Sequence, residues 1–326
     1  MKIVFAGGSG HSDRVISTYK TIPGAEATAF CRTGSLENPK VSTSIPGIKE
    51  YADAIEMMDA EKPDILVSDG FFNTHATIAA EALRRGIAVI SDKPAATTFA
   101  DYQMLAECVH KPGAPLYWGF LTSRYQDCFY TAKKLVEEGA VGTVRMLNSQ
   151  KSYTLGNRHE FYKHAETYGG TIPWISIHAI DWMAWVSGLK YTSAYSVQSS
   201  AYNRGHGDLE MTAISVFEME NGCTASVHSD YYRPDGSKIH GDDRLRVTGT
   251  DGILEVRGSQ VYLLNAENDG EKPLPLLSPP RPLFPDFVHA LQGRTGSLIT
   301  PEDTLYATYV ALKARESAET HEKVLL

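Results

Sequence analysis

The alternation that fills residues 1–120 constrains this chain more than any other feature. Short β-rich runs (Ile3–Ala6, Ala27–Cys31, Ile65–Val67, Ile87–Ile90 and Leu116–Phe120) are separated by stretches of helical character. Ile78, Ala79, Ala82 and Leu83 recur at helical spacing within Thr74–Arg85, which stops at Gly86. Asp101–His110 stops at the breaker Lys111-Pro112-Gly113. Strands buried on both faces and alternating with helices predict a doubly wound parallel sheet.

The second half changes character. After one more amphipathic helix (Phe129, Ala132, Leu135, Val136, ended by Gly139), the strand signals come in hairpins. Met211, Ala213, Ser215, Phe217 and Met219 alternate, and Asn221-Gly222 then turns the chain into Cys223–Tyr231. Asn-Gly between alternating runs is a strong type I′ hairpin signal. Asp251-Gly252 and Gly258-Ser259 mark turns among Leu245–Val247, Ile253–Val256 and Val261–Leu264. An antiparallel meander is expected, interrupted by a helix near Trp174–Val186 and closed by one near Pro301–Ala318, with Pro273–Pro285 as a proline-rich connector. The expected organisation is an α/β domain over 1–121 and an α+β domain over 122–326, with no internal repeat.

Composition narrows the partners. A length of 326 residues suits two domains. The 31 basic and 39 acidic residues give a net charge of −8 with no basic block, so a nucleic-acid partner is not expected. Cys31, Cys108, Cys128 and Cys223 lie far apart, without metal spacing or a disulfide framework. Ile3–Ala6 is too short for a signal-peptide core, and no apolar stretch approaches the roughly 20 residues that cross a membrane. A cytoplasmic protein is the expectation.

The first strand runs into Gly7-Gly8-Ser9-Gly10-His11 and then a helix. Glycines there let a turn tighten and let backbone N–H groups approach a pyrophosphate. The match to G-x-G-x-x-G is imperfect in any register: from Gly8 the third position is Asp13, and from Gly7 the second is Ser9. Its place after the first strand of a βαβ pattern carries the reading. The next strand ends at Cys31-Arg32-Thr33, with no acidic residue there for a ribose diol. Arg32, with Thr33 and Ser35 nearby, suits a 2′-phosphate, so NADP is expected over NAD.

The chain here resembles the Gfo/Idh/MocA family, the relatives of glucose–fructose oxidoreductase and inositol dehydrogenase. The resemblance spans nearly its whole length. It is carried by Asn73-Thr74-His75, by Ser91-Asp92-Lys93-Pro94, by Gly119-Phe120 with Arg124, and by Gly169-Gly170 ahead of His178-Ala179-Ile180-Asp181. Lys93-Pro94 corresponds to the family's Glu-Lys-Pro, with Asp92 in place of Glu. The resemblance implies a Rossmann domain joined to an open-faced antiparallel sheet, with NAD(P) held by the glycine loop, Asn73, His75, Lys93 and Pro94. It implies a hydride moved to or from a sugar-like or polyol-like substrate lying between nicotinamide and the second sheet, with Arg124 among the residues that meet it. It also implies a homodimer or homotetramer formed through that sheet. Lys93, at the C-terminal end of a parallel strand, is the expected proton-transfer group. His178 falls on the histidine of the family's Asp-x-x-x-His motif and would share that task.

One position departs from the family. Trp174 stands where the motif has its Asp, and a tryptophan can neither accept a proton nor orient a histidine through a carboxylate. It would suit stacking on a sugar face. Asp181, three residues beyond His178, serves either substrate binding or packing. Tyr153, Asn157, Arg158 and Tyr162 suit a hydroxylated ligand, and Arg158 a carboxylate, although a solvated loop reads the same way. His159, His164 and His178 lack a metal spacing, so no metal is expected. Two other functions stay open: a lyase or glycosidase working by transient oxidation with tightly held cofactor, and a cofactor-binding regulator that has lost catalysis.

Overall fold

The structure, a computed structural model, describes residues 1–8, 10–34, 37 and 40–326. It forms two compact units. The first holds Met1–Leu121 with His159–Gly169 and Arg281–Tyr309; the second holds Thr122–Arg158, Gly170–Pro280 and Val310–Leu326. Two segments from beyond residue 121, 159–169 and 281–309, thus return to the first unit. Their reason is packing. Phe72 takes Phe161 edge-on at 5.2 Å and Tyr162 at 5.7 Å, and Phe287 meets Trp118 at 5.4 Å.

The first unit is built on β1 (Lys2–Gly7), β2 (Glu26–Cys31), β3 (Lys49–Tyr51), β4 (Ile65–Asp69), β5 (Ala88–Ser91) and β6 (Tyr117–Gly119). Their order is β3-β2-β1-β4-β5-β6, and every pairing is parallel. Val4, Leu66 and Val89 are fully buried, which is why these runs read as continuously apolar. β3 is a three-residue edge strand with polar Lys49 and Glu50, too short to carry a sequence signal. The strand order reverses between β1 and β4, where sheets of this kind bind ligands.

The second unit carries an eight-stranded sheet. Its strands are β7 (Val144–Thr154), β8 (Tyr191–Ser199), β9 (Thr212–Met219), β10 (Thr224–Arg233), β11 (Gly241–Gly249), β12 (Ile253–Arg257), β13 (Gln260–Leu264) and β14 (Val324–Leu325). The order is β13-β12-β11-β7-β10-β9-β8-β14. The sheet is mixed rather than purely antiparallel, because β7 lies between the two hairpin groups and pairs β10 in parallel. The Asn-Gly hairpin is present, with Asn221 at φ 59° and Gly222 at φ 66° joining β9 to β10. One face is covered: Phe129 stacks on Trp182 at 4.4 Å, and the Trp182 indole N–H donates to Ser149 Oγ at 2.7 Å. The other face leaves Met146, Tyr195, Val197, Ile214 and Val216 exposed.

The helix expected near Trp174–Val186 comes in two parts, a π-helical Ile172–Ser176 and an α-helical Ile177–Ser187. The proline-rich connector ends in a helix, Leu283–Leu291. Pro285 sits in its first turn, where no intrahelical N–H is needed. No described helix is long and apolar enough to cross a membrane.

The joint between β1 and β4 allows no side chain. Gly7 sits at φ +90°, and a Cβ there would lie 2.3 Å from Gly70 Cα. Gly7→Ala is expected to lower unfolding stability by about 2–4 kcal/mol. A urea midpoint within error of wild type would contradict this.

Candidate functional site

At the C-terminal edge of the first sheet, the glycine-rich loop lies against two carboxyls. Gly8 N–H donates to the Asp69 carbonyl at 2.7 Å. The N–H groups of Gly10 and His11 donate to the Asp69 carboxyl at 3.1 Å each, and that of Ser12 at 2.7 Å. Asp69 ends β4, and Asp92 follows β5. His11 Nδ1 lies 2.9 Å from Asp92 Oδ1, and Lys93 N–H donates to the same oxygen at 2.8 Å. Both carboxyls are buried. Burial and repulsion from Asp92 push Asp69 well above the usual carboxylate range. Burial also works to raise Asp92, but His11 and Lys93 outweigh it and hold Asp92 low. Ser9 lies outside the described residues.

Lys93 is buried beside Pro94, at the end of β5. His75 is fully buried, with Nδ1 3.0 Å from the Pro94 carbonyl and Nε2 3.2 Å from the Gly70 carbonyl. It therefore ties the loop after β4 to the loop after β5, and burial lowers its pKa. Asn73 is half-buried on the 3₁₀ turn Phe72–Thr74.

The segment after β2 carries acidic groups that spacing along the chain did not reveal. Arg32 Nε donates to Glu50 Oε1 at 2.9 Å, and its Nη1 to the Glu37 carbonyl. The Glu37 carboxylate accepts from Thr33 N–H at 2.7 Å and Thr33 Oγ1 at 2.9 Å. Beside them opens a cleft of about 490 Å³ lined by Arg32, Thr33, Asp53, Ile55, Thr77 and Glu81. Ser35 lies outside the described residues.

In the second unit, Arg124 and Asp181 are buried against each other. Arg124 Nη2 donates to Asp181 Oδ1 at 2.6 Å, and Nε reaches both oxygens at 3.2 Å. His178 is buried in the first turn of Ile177–Ser187, and Trp174 is buried in the preceding π-helical stretch. Inserted π turns recur at functional sites. On the covered face of the sheet, Lys151 Nζ donates to Asp243 at 2.5 Å and lies 5.1 Å from the Tyr153 ring centre. Burial works to lower the Lys151 pKa, but Tyr153 and Asp243 raise it overall. Arg158 packs over Tyr231 at 4.8 Å, and Tyr153 stacks on His240 at 4.7 Å.

Of the residues expected to meet substrate, Tyr153, Arg158, Trp174, His178, Arg124 and Asp181 lie in this unit. Asn157 is exposed there. Tyr162 belongs instead to the first unit's aromatic cluster with Phe72, Phe161 and Tyr168. Sequence reasoning passed over Asp69, although a carboxylate closing the strand that begins Ile65-Leu66-Val67 was the available signal. It passed over Glu37 and the Lys151–Asp243 pair too, which become visible only through tertiary contact. Among the described residues, no group of three His, Cys, Asp or Glu side chains is placed to hold a metal.

A six-stranded parallel sheet in this order, with a glycine loop at its reversal, defines a dinucleotide-binding fold. Residues 1–120 match the oxidoreductase family with an NAD-binding Rossmann fold, and residues 129–255 match the GFO/IDH/MocA C-terminal domain. The chain belongs to the GFO/IDH/MocA oxidoreductase family. It is 23% identical to inositol 2-dehydrogenase 2 of Saccharopolyspora erythraea over 66% of this chain, and spans 62% of that relative's length. It is 24% identical to D-apiose dehydrogenase of Paraburkholderia graminis over 81% of this chain and 69% of the relative. A Thermotoga maritima structure provisionally classed as an oxidoreductase is similar over 100% of both chains, at 40% identity and a TM-score of 0.95.

Proposed function

We propose that this protein is an NAD(P)-dependent dehydrogenase acting on a CH–OH carbon of a sugar, polyol or similar hydroxylated molecule. The observation that carries the reading is Lys93, a buried lysine at the C-terminal end of a parallel strand beside the strand-order reversal. The relatives named for inositol and D-apiose support the substrate class.

The glycine-rich turn that follows β1 at the strand-order reversal is where a dinucleotide's pyrophosphate would lie. A nicotinamide supplies the hydride acceptor or donor when bound. In the oxidative direction, Lys93 takes the proton that leaves the substrate hydroxyl while the carbon gives up its hydride. His178 is the second proton-handling group, and Trp174, Tyr153 and Arg158 meet the substrate. The Arg124–Asp181 pair holds the helix that carries His178. Lys93→Ala is expected to lower turnover by about 10²–10⁴ with cofactor affinity within a few-fold. Turnover near wild type would remove Lys93 from the chemistry.

Arg32 is the proposed 2′-phosphate ligand, and it must release Glu50 to act. An exposed ion pair is worth about 0.2–1 kcal/mol, and a charge-assisted arginine–phosphate contact about 1.5–3 kcal/mol. The exchange leaves about 1–2 kcal/mol, a preference for NADPH over NADH of roughly five- to thirtyfold. Fluorescence titration should show Arg32→Ala losing that preference while keeping NADH affinity. Equal affinities for the two cofactors in wild type would refute it.

The exposed face of the second sheet is the proposed subunit contact. Val197, Ile214 and Val216 are 43–46% exposed, an apolar array that a solitary sheet face rarely leaves to water. A dimer or tetramer is expected by light scattering, with Val216→Asp shifting the population toward monomer. A wild-type monomer at high micromolar concentration would end the proposal.

A further inference from the structure

We propose that the Asp69 side chain is an internal occupant of the backbone donors that a dinucleotide's pyrophosphate would use, so that cofactor enters the glycine loop only by displacing it. The inference rests on the dinucleotide-binding reading above.

The case begins with the destination of the loop's N–H groups. Those of Gly8, Gly10, His11 and Ser12 are all spent on one residue, the first on the Asp69 carbonyl and the other three on its carboxyl. A glycine-rich turn after the first strand binds phosphate because such groups are aimed at the ligand. Here they are aimed inward, at a side chain only 1% exposed. The loop is also pressed down. A Cβ on Gly10 would lie 2.2 Å from Asp92 Oδ2 and 2.3 Å from Asp69 Oδ1, so only glycine lets the backbone rest on both carboxyls. His11, bonded to Asp92, fastens the same turn from the other strand end.

A pyrophosphate arriving at this turn meets two obstacles, donors already engaged and the negative charge of Asp92 beneath them. The first is removed if the loop lifts from Asp69 and turns its N–H groups outward. The closure is built to be displaceable. Burial and Asp92 bias the Asp69 carboxyl toward its neutral form, and a neutral acid is a weaker acceptor than a carboxylate. The apparent cofactor affinity is then the intrinsic affinity multiplied by the fraction of open loop.

A scaffolding role for Asp69 predicts the opposite sign, because a loop that loses its support should hold cofactor less well. The test compares full-length wild type, Asp69→Ala and Asp69→Asn, the last keeping side-chain volume in case alanine fails to fold. Amide hydrogen exchange without nucleotide should be faster at Gly10, His11 and Ser12 in both variants. Binding of NADH, NADPH and ADP-ribose should tighten about five- to twentyfold, while binding of adenosine, which lacks the pyrophosphate, should not change. Unchanged exchange at the three amides overturns the closure regardless of any nucleotide. Equal or weaker dinucleotide binding in the variants, or an equal gain for adenosine, overturns the displacement. Failure of all three proteins to bind any dinucleotide overturns the cofactor reading and the displacement with it, a result distinct from equal binding by all three.

Discussion

Three backbone N–H groups converging on one buried carboxyl organise the ligand edge of the first unit. Asp69 reaches that position because β4 lies next to β1 in the sheet, its last residue opposite Gly7 in parallel register. The contact decides where the glycine turn can sit and why Gly10 can carry no side chain. Beside it, His11 and Lys93 offset the charge of Asp92. Without the Asp69 side chain, the N–H groups of Gly10, His11 and Ser12 lose the acceptor they share.

The two units handle charge differently. The first concentrates carboxyls at its ligand edge, with Asp69 and Asp92 under the loop and Glu37 and Glu50 around Arg32. The second buries matched pairs, Arg124 with Asp181 and Lys151 with Asp243, against aromatic rings. Buried pairs of that kind add little net stability but penalise any arrangement that separates them.

Much of the fold was legible because its strands are either apolar throughout, as in Ile3–Ala6, or strictly alternating, as in Met211–Met219. The Asn221-Gly222 turn was legible because two successive positive φ values favour those residue types. The parallel pairing of β7 with β10 was not, since strand neighbours far apart in sequence leave no local trace. The same limit applied to the site. Lys93 and the glycine loop announce themselves by position after a strand. Asp69 looked like the end of a strand, and the hold of Glu37 and Glu50 on Arg32 depends on chain segments that only the folded sheet brings together. Tyr162 was assigned to the wrong unit for the same reason: its neighbours Phe72 and Tyr168 are set by packing, not by order.

The return of residues 159–169 and 281–309 to the first unit has a consequence for synthesis. When residue 121 leaves the ribosome, the parallel sheet has all six strands but not its closing contacts. Trp118 lacks Phe287, the Gly119 N–H lacks the Thr304 hydroxyl, and the Ala95 N–H lacks that of Thr308. These gaps lie along β6 and the segment that follows Lys93, so the edge that carries the buried lysine is the last part of the first unit to be sealed. Until residues 281–309 have emerged, that edge offers an aromatic ring and unmet backbone donors to whatever is near. Exposed apolar surface and unpaired strand edges of this kind are what make a partly made chain prone to aggregate.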